Sequence, residues 1–174
     1  QVQIVLVETS HPGNIGSVAR AMKTMGLQNL VLVKPRNFPS KEAFVLSGNA
    51  EDLIEQAVVV NTLDEAIKNC TNIYATSART RSISWPIITA EMAGIEINKF
   101  VREGTKVSII FGREDRGLTN EELQKANKHI LIPSSEDYPV LNIAMSVQVI
   151  AYEIFKNAEI EVDINWQDLS LIHI

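Results

Sequence analysis

Two rhythms of apolar and polar positions alternate along the chain. Short runs rich in Val and Ile, at Ile4 to Glu8, Leu30 to Lys34, Val58 to Val60, Ile73 to Ser77, Val107 to Gly112 and Ile130 to Ile132, are largely apolar at consecutive positions. Such runs predict strands of a parallel sheet covered on both faces. Between the first two, Asn14 to Met25 places Ile15, Val18, Met22 and Met25 at helical spacing and stops at Gly26, a natural residue to follow a helix. Thr62 with Glu65, and Thr119 with Glu122, have the spacing of capping boxes, in which each side chain satisfies the other residue's backbone donor. The alternation predicts an α/β fold, a mostly parallel sheet with helices on both faces.

The last long helix is predicted over 142–157. Its apolar residues, from Ile143 and Met145 through Tyr152 to Phe155, surround the axis nearly completely. A helix of that kind must be covered on every side. A second subunit covers a terminal helix more easily than its own small sheet does, which predicts a homodimer; burial within the monomer is the alternative. An acidic stretch, Glu159 to Asp163, then leads into a tail without clear period. The organisation expected is one domain over 1–158 and an acidic linker or truncated extension over 159–174.

Composition narrows the class. With 174 residues, 45% hydrophobic and 21% charged, the chain is long and apolar enough for one core and needs no covalent staples. One cysteine, Cys70, and three scattered histidines, His11, His129 and His173, supply neither a disulfide framework nor zinc-ligand spacing, so no metal is expected. That usage suits a cytoplasmic location. Apolar runs such as Ile4 to Val7 fall far short of the roughly 20 residues that span a bilayer, so no membrane partner is expected. Gln1 to Val7 reads as a strand rather than a signal peptide, and the numbering is expected to begin inside a longer gene product.

The net charge of −5 argues at first against nucleic acid. The charge is unevenly spread, however: residues 1–118 hold 13 Lys and Arg against 12 acids, and residues 119–174 hold 3 against 9. Arg20, Lys23, Lys34, Arg36, Lys41, Arg79, Arg81, Arg113 and Arg116 are thus free either to gather on one face or to lie scattered in solvent.

No dinucleotide fingerprint, Walker motif, zinc-protease motif or nucleophile elbow is present, which removes four common enzyme classes. Three polar segments remain, each directly after a strand. In Glu8 to Arg20, Gly13 and Gly16 would let a backbone come close to a ligand, and a helix N-terminus would offer N–H groups to a phosphate. An ordinary capped helix with a surface Arg is the alternative. Phe111 to Leu118 sets two Arg, two acids and two Gly at the carboxyl end of a strand, where open α/β sheets bind ligands; it reads equally as a charged connecting turn. Ile130 to Asn142 runs through a Pro-punctuated loop to the last helix, where Asn142 by itself reads as a cap.

Taken together the three segments resemble the signature motifs of the SpoU branch of the SPOUT RNA methyltransferases. The motifs are Asn14-Ile-Gly16-Ser-Val-Ala19-Arg20, Phe111-Gly112-Arg-Glu114-Asp-Arg-Gly117-Leu118, and Ile132-Pro133 through Leu141-Asn142-Ile-Ala144. The likeness covers nearly all of residues 3–158, and Val5 to His11, Thr76 to Arg79 and Gly117 to Gln124 look like the subgroup that methylates the ribose 2′-hydroxyl of an anticodon-loop pyrimidine in tRNA.

The resemblance implies S-adenosylmethionine as cofactor, tRNA as partner, a C-terminal trefoil knot, and a homodimer that sets residues of one subunit beside the cofactor of the other. By position it assigns Thr76, Ser77, Ala78, Gly112, Ile132, Val140 and Leu141 to the cofactor, and Asn14, Arg20, Glu114 and Asn142 to the reaction centre. The family gives Arg20 the general-base role. A guanidinium is a poor proton acceptor at neutral pH, so a clamp on the adjacent phosphate and on developing alkoxide charge, its geometry set by Glu114 and Asn142, is the better physical reading. One position departs from the pattern: Val140 stands where the family has Ser. If that hydroxyl is needed, Ser135 or Tyr138 must replace it or the rate must fall. A non-catalytic RNA-binding module of the same fold and an rRNA ribose methyltransferase are the rival functions.

Overall fold

The computed structural model describes residues 1–77 and 85–158. Ala78, Arg79, Arg81 and the tail over 159–174 lie outside the described residues. Seven strands form one sheet: β1 (Val2–Val7), β2 (Asn29–Val33), β3 (Val58–Val60), β4 (Asn72–Ser77), β5 (Ile87–Thr89), β6 (Val107–Phe111) and β7 (Lys128–Leu131). Their order is β3-β2-β1-β6-β4-β7-β5, and all six pairings are parallel. The helices are α1 (Pro12–Thr24), α2 (Lys41–Ser47), α3 (Glu51–Glu55), α4 (Leu63–Ile67), α5 (Ala90–Arg102), α6 (Asn120–Gln124) and α7 (Ile143–Lys156), with a 3-10 turn, Gly48–Ala50, between α2 and α3.

The strand period of two divides the core. Val2, Ile4 and Leu6 of β1 join a large cluster with Ile15, Val18 and Met22 of α1, Ile97 of α5 and Val147 and Ile150 of α7. Val5 and Val7 face the other way, into a smaller cluster with Leu63 and Ile67 of α4 and Leu123 of α6. Every residue of β1 is therefore buried, which is why Ile4 to Val7 are apolar without alternation and why the buried Gln3 amide donates to Ala66 O at 2.8 Å. At the sheet edge the rule fails. Val58 and Val59 of β3 are about half exposed, because β3 has a strand on one side only.

Local signals explain the helix ends. Helix α1 begins two residues before Asn14, with Pro12 in its first turn, and Gly26 after it takes φ 74°. Thr119 and Glu122 form the full capping box. At Thr62 only half of it forms: Thr62 Oγ1 accepts from Glu65 N at 3.1 Å, but the Glu65 carboxylate takes the Thr62 hydroxyl instead of its backbone N–H.

Helix α7 buries Ile143, Val147, Ile150, Ala151 and Ile154 against α1 and α5. Asn98 of α5 donates to Ile154 O at 2.7 Å, and a Cβ on Gly94 of α5 would lie 2.5 Å from Glu153 O, so the two helices touch backbone to backbone. The opposite stripe, with Met145 60% and Tyr152 49% exposed, is left bare. The monomer therefore does not cover the whole helix.

Candidate active site

The loop after β6 is a tight, self-bonded turn. Arg113 N donates to Gly117 O at 3.2 Å and Gly117 N donates to Arg113 O at 2.9 Å, with Gly117 at φ 70°. Gly112 has no room for a side chain: a Cβ there would lie 2.2 Å from Gly117 C and 2.4 Å from Leu118 N. The Arg113 guanidinium pairs with Glu122 at 2.8 Å and with Glu8 at the end of β1. Glu122 above all, and then Glu8, outweigh the effect of burial and hold Arg113 all the more firmly in its charged form. Arg113 is thus no free member of the basic set.

Glu114 points the other way. Its carboxylate accepts from Ser10 N at 3.0 Å, His11 N at 2.9 Å and Asn14 Nδ2 at 3.0 Å. Burial pushes its pKa up, but the Ser10, His11 and Asn14 donors prevail and hold it below the ordinary carboxylate value. Here the structure corrects the anion site expected at the start of α1. The donors just before that helix are taken by the protein's own carboxylate, which also suits the helix dipole. Gly13 and Gly16 let α1 pack closely on α2: a Cβ on Gly16 would lie 2.1 Å from Ala43 O of α2, and one on Gly13 2.6 Å from Leu46 Cδ1.

The remaining walls come from β4 and from the loop between β7 and α7. Thr76 Oγ1 donates to Ile110 O at 2.9 Å, so its hydroxyl ties β4 to β6. Asn142 caps α7, its side-chain oxygen accepting from Ala144 N at 2.9 Å. Ser135 Oγ accepts from Asp137 N at 3.3 Å in a turn away from the cavity, whereas Tyr138, 82% exposed, lines it beside Val140. Of the two hydroxyls considered as substitutes, Tyr138 is the one at the cavity.

These loops enclose a cavity of about 620 Å³ at the carboxyl ends of β4, β6 and β7. It brings together Asn14, Glu114, Asn142, Thr76, Ser77, Gly112, Ile132, Val140 and Leu141. Ala78 lies outside the described residues. Arg20 is not in the lining; it is exposed on α1 and has no hydrogen bond or ion pair among the described residues. Glu114 therefore does not set Arg20's geometry within one chain. Of the other basic residues, Lys23 pairs with Asp52 at 2.8 Å and Arg116 lies 3.6 Å from Asp115.

The roles of Glu8, Ser10 and His11 escape sequence reading. A charged residue closing an otherwise apolar strand was the available signal for Glu8; backbone donors such as Ser10 N carry none. Among the described residues, no cluster of His, Cys, Asp and Glu is placed to hold a metal, and no helix is long and apolar enough to cross a membrane.

Known proteins resemble this arrangement along nearly the whole chain. The tRNA (cytidine/uridine-2′-O-)-methyltransferase TrmJ of Yersinia pestis (strain Pestoides F) is 50% identical over 153 residues, covering 88% of this chain and 59% of that protein. The chain thus spans about three fifths of the length of such relatives. The structure of a probable methylase family protein from Haemophilus influenzae Rd KW20 superposes with a TM-score of 0.86 at 41% identity, covering 98% of this chain and 74% of that one. The SpoU methyltransferase AviRb from Streptomyces viridochromogenes, solved in complex with AdoMet, shares the fold with a TM-score of 0.71 at 18% identity, over 88% of this chain and 59% of that one. The SpoU rRNA Methylase family model matches residues 1–152, and the chain belongs to that family.

Proposed function

We propose that this chain transfers a methyl group from S-adenosylmethionine to a ribose 2′-hydroxyl in RNA, with a cytidine or uridine of the tRNA anticodon loop as the target. The observation that carries the reading is the convergence of three separate loops, each after a parallel strand, on one cavity lined by Asn14, Gly112, Glu114, Leu141 and Asn142. The cavity suits the cofactor in size and chemistry. Small-molecule sites run about 300–1,000 Å³ and are mostly apolar with a few placed polar groups. Phe111, Ile132, Val140 and Leu141 supply apolar wall, and Glu114 and Asp115 supply negative charge for a sulfonium. Thr76, Ser77, Gly112, Ile132, Val140 and Leu141 would hold it. Bound there, S-adenosylmethionine supplies an activated methyl that needs no further electrophilic help.

The protein's part is orientation and electrostatics. Glu114 fixes the Asn14 carboxamide at the cavity wall, and Asn142 stands at the start of α7 on the opposite loop. Arg20 acts as a clamp on phosphate and developing alkoxide, since a guanidinium donates and does not accept. Because Arg20 lies outside its own chain's cavity, it serves the cavity of a second copy. Two features support the pairing. Arg20 and Thr24 are one turn apart on α1, and Thr24 Oγ1 accepts from Gln148 of α7 at 3.0 Å, between the bare Met145 and Tyr152. The same reading makes the chain cytoplasmic, threads its C-terminal segment as a trefoil knot, and takes 159–174 as an acidic linker or truncated extension. The relatives named tRNA methyltransferases support tRNA over rRNA.

Calorimetric titration with S-adenosylhomocysteine tests the reading. One micromolar site per subunit is expected, retained in Arg20→Ala. Absence of binding at millimolar ligand would overturn it in favour of a non-catalytic RNA-binding module.

A further inference from the structure

Arg113 and Glu114 are neighbours whose side chains hold different parts of the molecule. Arg113 reaches Glu8 and Glu122, and Glu114 reaches Ser10, His11 and Asn14. Glu8 and Ser10 flank Thr9, so two adjacent residues of the β6–α6 loop grip two ends of one short stretch after β1. The Arg113–Glu122 pair is largely dry, each side chain only 13% exposed, and the Glu8 side chain is one-third exposed. Glu122 in turn belongs to the capping box that starts α6, and Glu8 sits at φ 49°, a left-handed conformation that costs a non-glycine residue energy and persists when its surroundings hold it. We propose that Arg113 is a positioning residue, which fixes the β6–α6 loop between Glu8 and Glu122 so that Glu114 can hold Asn14 and the start of α1 at the cavity wall.

The fork shape of the guanidinium matters. Nη1 donates to Glu122 at 2.8 Å and to Gly117 O at 3.3 Å, while Nη2 donates to Glu8 and to Glu122, a set that a lysine ammonium, a single point charge, does not reproduce. Removing the fork leaves two acids facing each other across the loop, and their repulsion opens the turn that carries Gly112 and Glu114.

The inference rests on the methyltransferase reading for its kinetic arm, but not for its structural one. Arg113→Met and Arg113→Lys are compared with the parent for amide hydrogen exchange at Ser10 and His11, S-adenosylhomocysteine affinity, kcat and RNA KM. Arg113→Met is expected to lose exchange protection at both amides and to lower kcat roughly 10- to 100-fold with RNA KM unchanged. Arg113→Lys should recover only part of both. If Arg113→Met fails to fold, Glu8→Gln and Glu122→Gln, each removing one link, should show partial loss of the same protection. Unchanged exchange and kcat overturn the proposal, as does a raised RNA KM with exchange intact, which would make Arg113 an RNA contact. A parent protein without methyl transfer would sink the functional reading, while the exchange data still judge Arg113.

Discussion

Glu114 takes three donors from the stretch that starts α1, and its titration should be visible in stability. Its folded-state pKa lies below the ordinary value of 4.5, so the stability it adds is full above that pH and is lost as pH falls through the folded value. The difference in unfolding free energy between the parent and Glu114→Gln should therefore shrink as pH drops below about 4.5. A difference constant across that window would show that the charge is not what binds Ser10, His11 and Asn14. At Gly112 the constraint is steric. Gly112→Ala must displace the Gly117–Leu118 backbone, at a cost of roughly 1–3 kcal/mol in urea unfolding and with loss of S-adenosylhomocysteine binding. Asn14, Gly112, Glu114 and Asn142 were legible because each lies in a short motif. Glu8 and Arg113 meet across 105 positions, and no local pattern announces such a pair.

At the scale of elements, burial decided what could be read. Strands β1, β2 and β6 are central and covered, so their apolar runs stand out. Strand β5 has three residues and helices α2 and α3 have seven and five, too short for a period to show. Helix α5 could have been found, since Thr89 caps it and Ala90, Ala93 and Ile97 mark its buried face. Two element-level tests follow from close packing and capping. Gly16→Ala should push α2 away from α1 and cost about 1–3 kcal/mol in denaturant unfolding, whereas an unchanged midpoint would deny the backbone contact. Asn142→Ala should cost about 1 kcal/mol through the lost cap, and Asn142→Ser should restore that stability without restoring methyl transfer. Full transfer by the serine variant would reduce Asn142 to a cap.

At the scale of the whole molecule, the proposed pairing of two copies would use Arg20, which has no partner among the described residues, and the bare stripe of α7. Met145→Glu should convert a dimer into monomer in sedimentation equilibrium while leaving the fold intact, because Met145 is 60% exposed. Mixing Arg20→Ala subunits with subunits whose cavity is blocked by Gly112→Ala should return part of the activity that neither has alone. Failure of the mixture would place Arg20 in its own chain's reaction. The all-round apolar sequence of α7 predicts a helix covered on every side, whereas the structure leaves the Met145 and Tyr152 stripe bare; the proposed knot is a relation between distant segments that hydrophobic spacing does not encode.

The most direct test of the account is to incubate the protein and its Arg20→Ala variant with a tRNA transcript and methyl-labelled S-adenosylmethionine, then digest the RNA in alkali. A 2′-O-methyl ribose blocks cleavage at its own linkage, so the account predicts label in an alkali-resistant dinucleotide carrying a methylated cytidine or uridine, and none with Arg20→Ala. Label on a base, label unaffected by Arg20→Ala, or no label at all would contradict it.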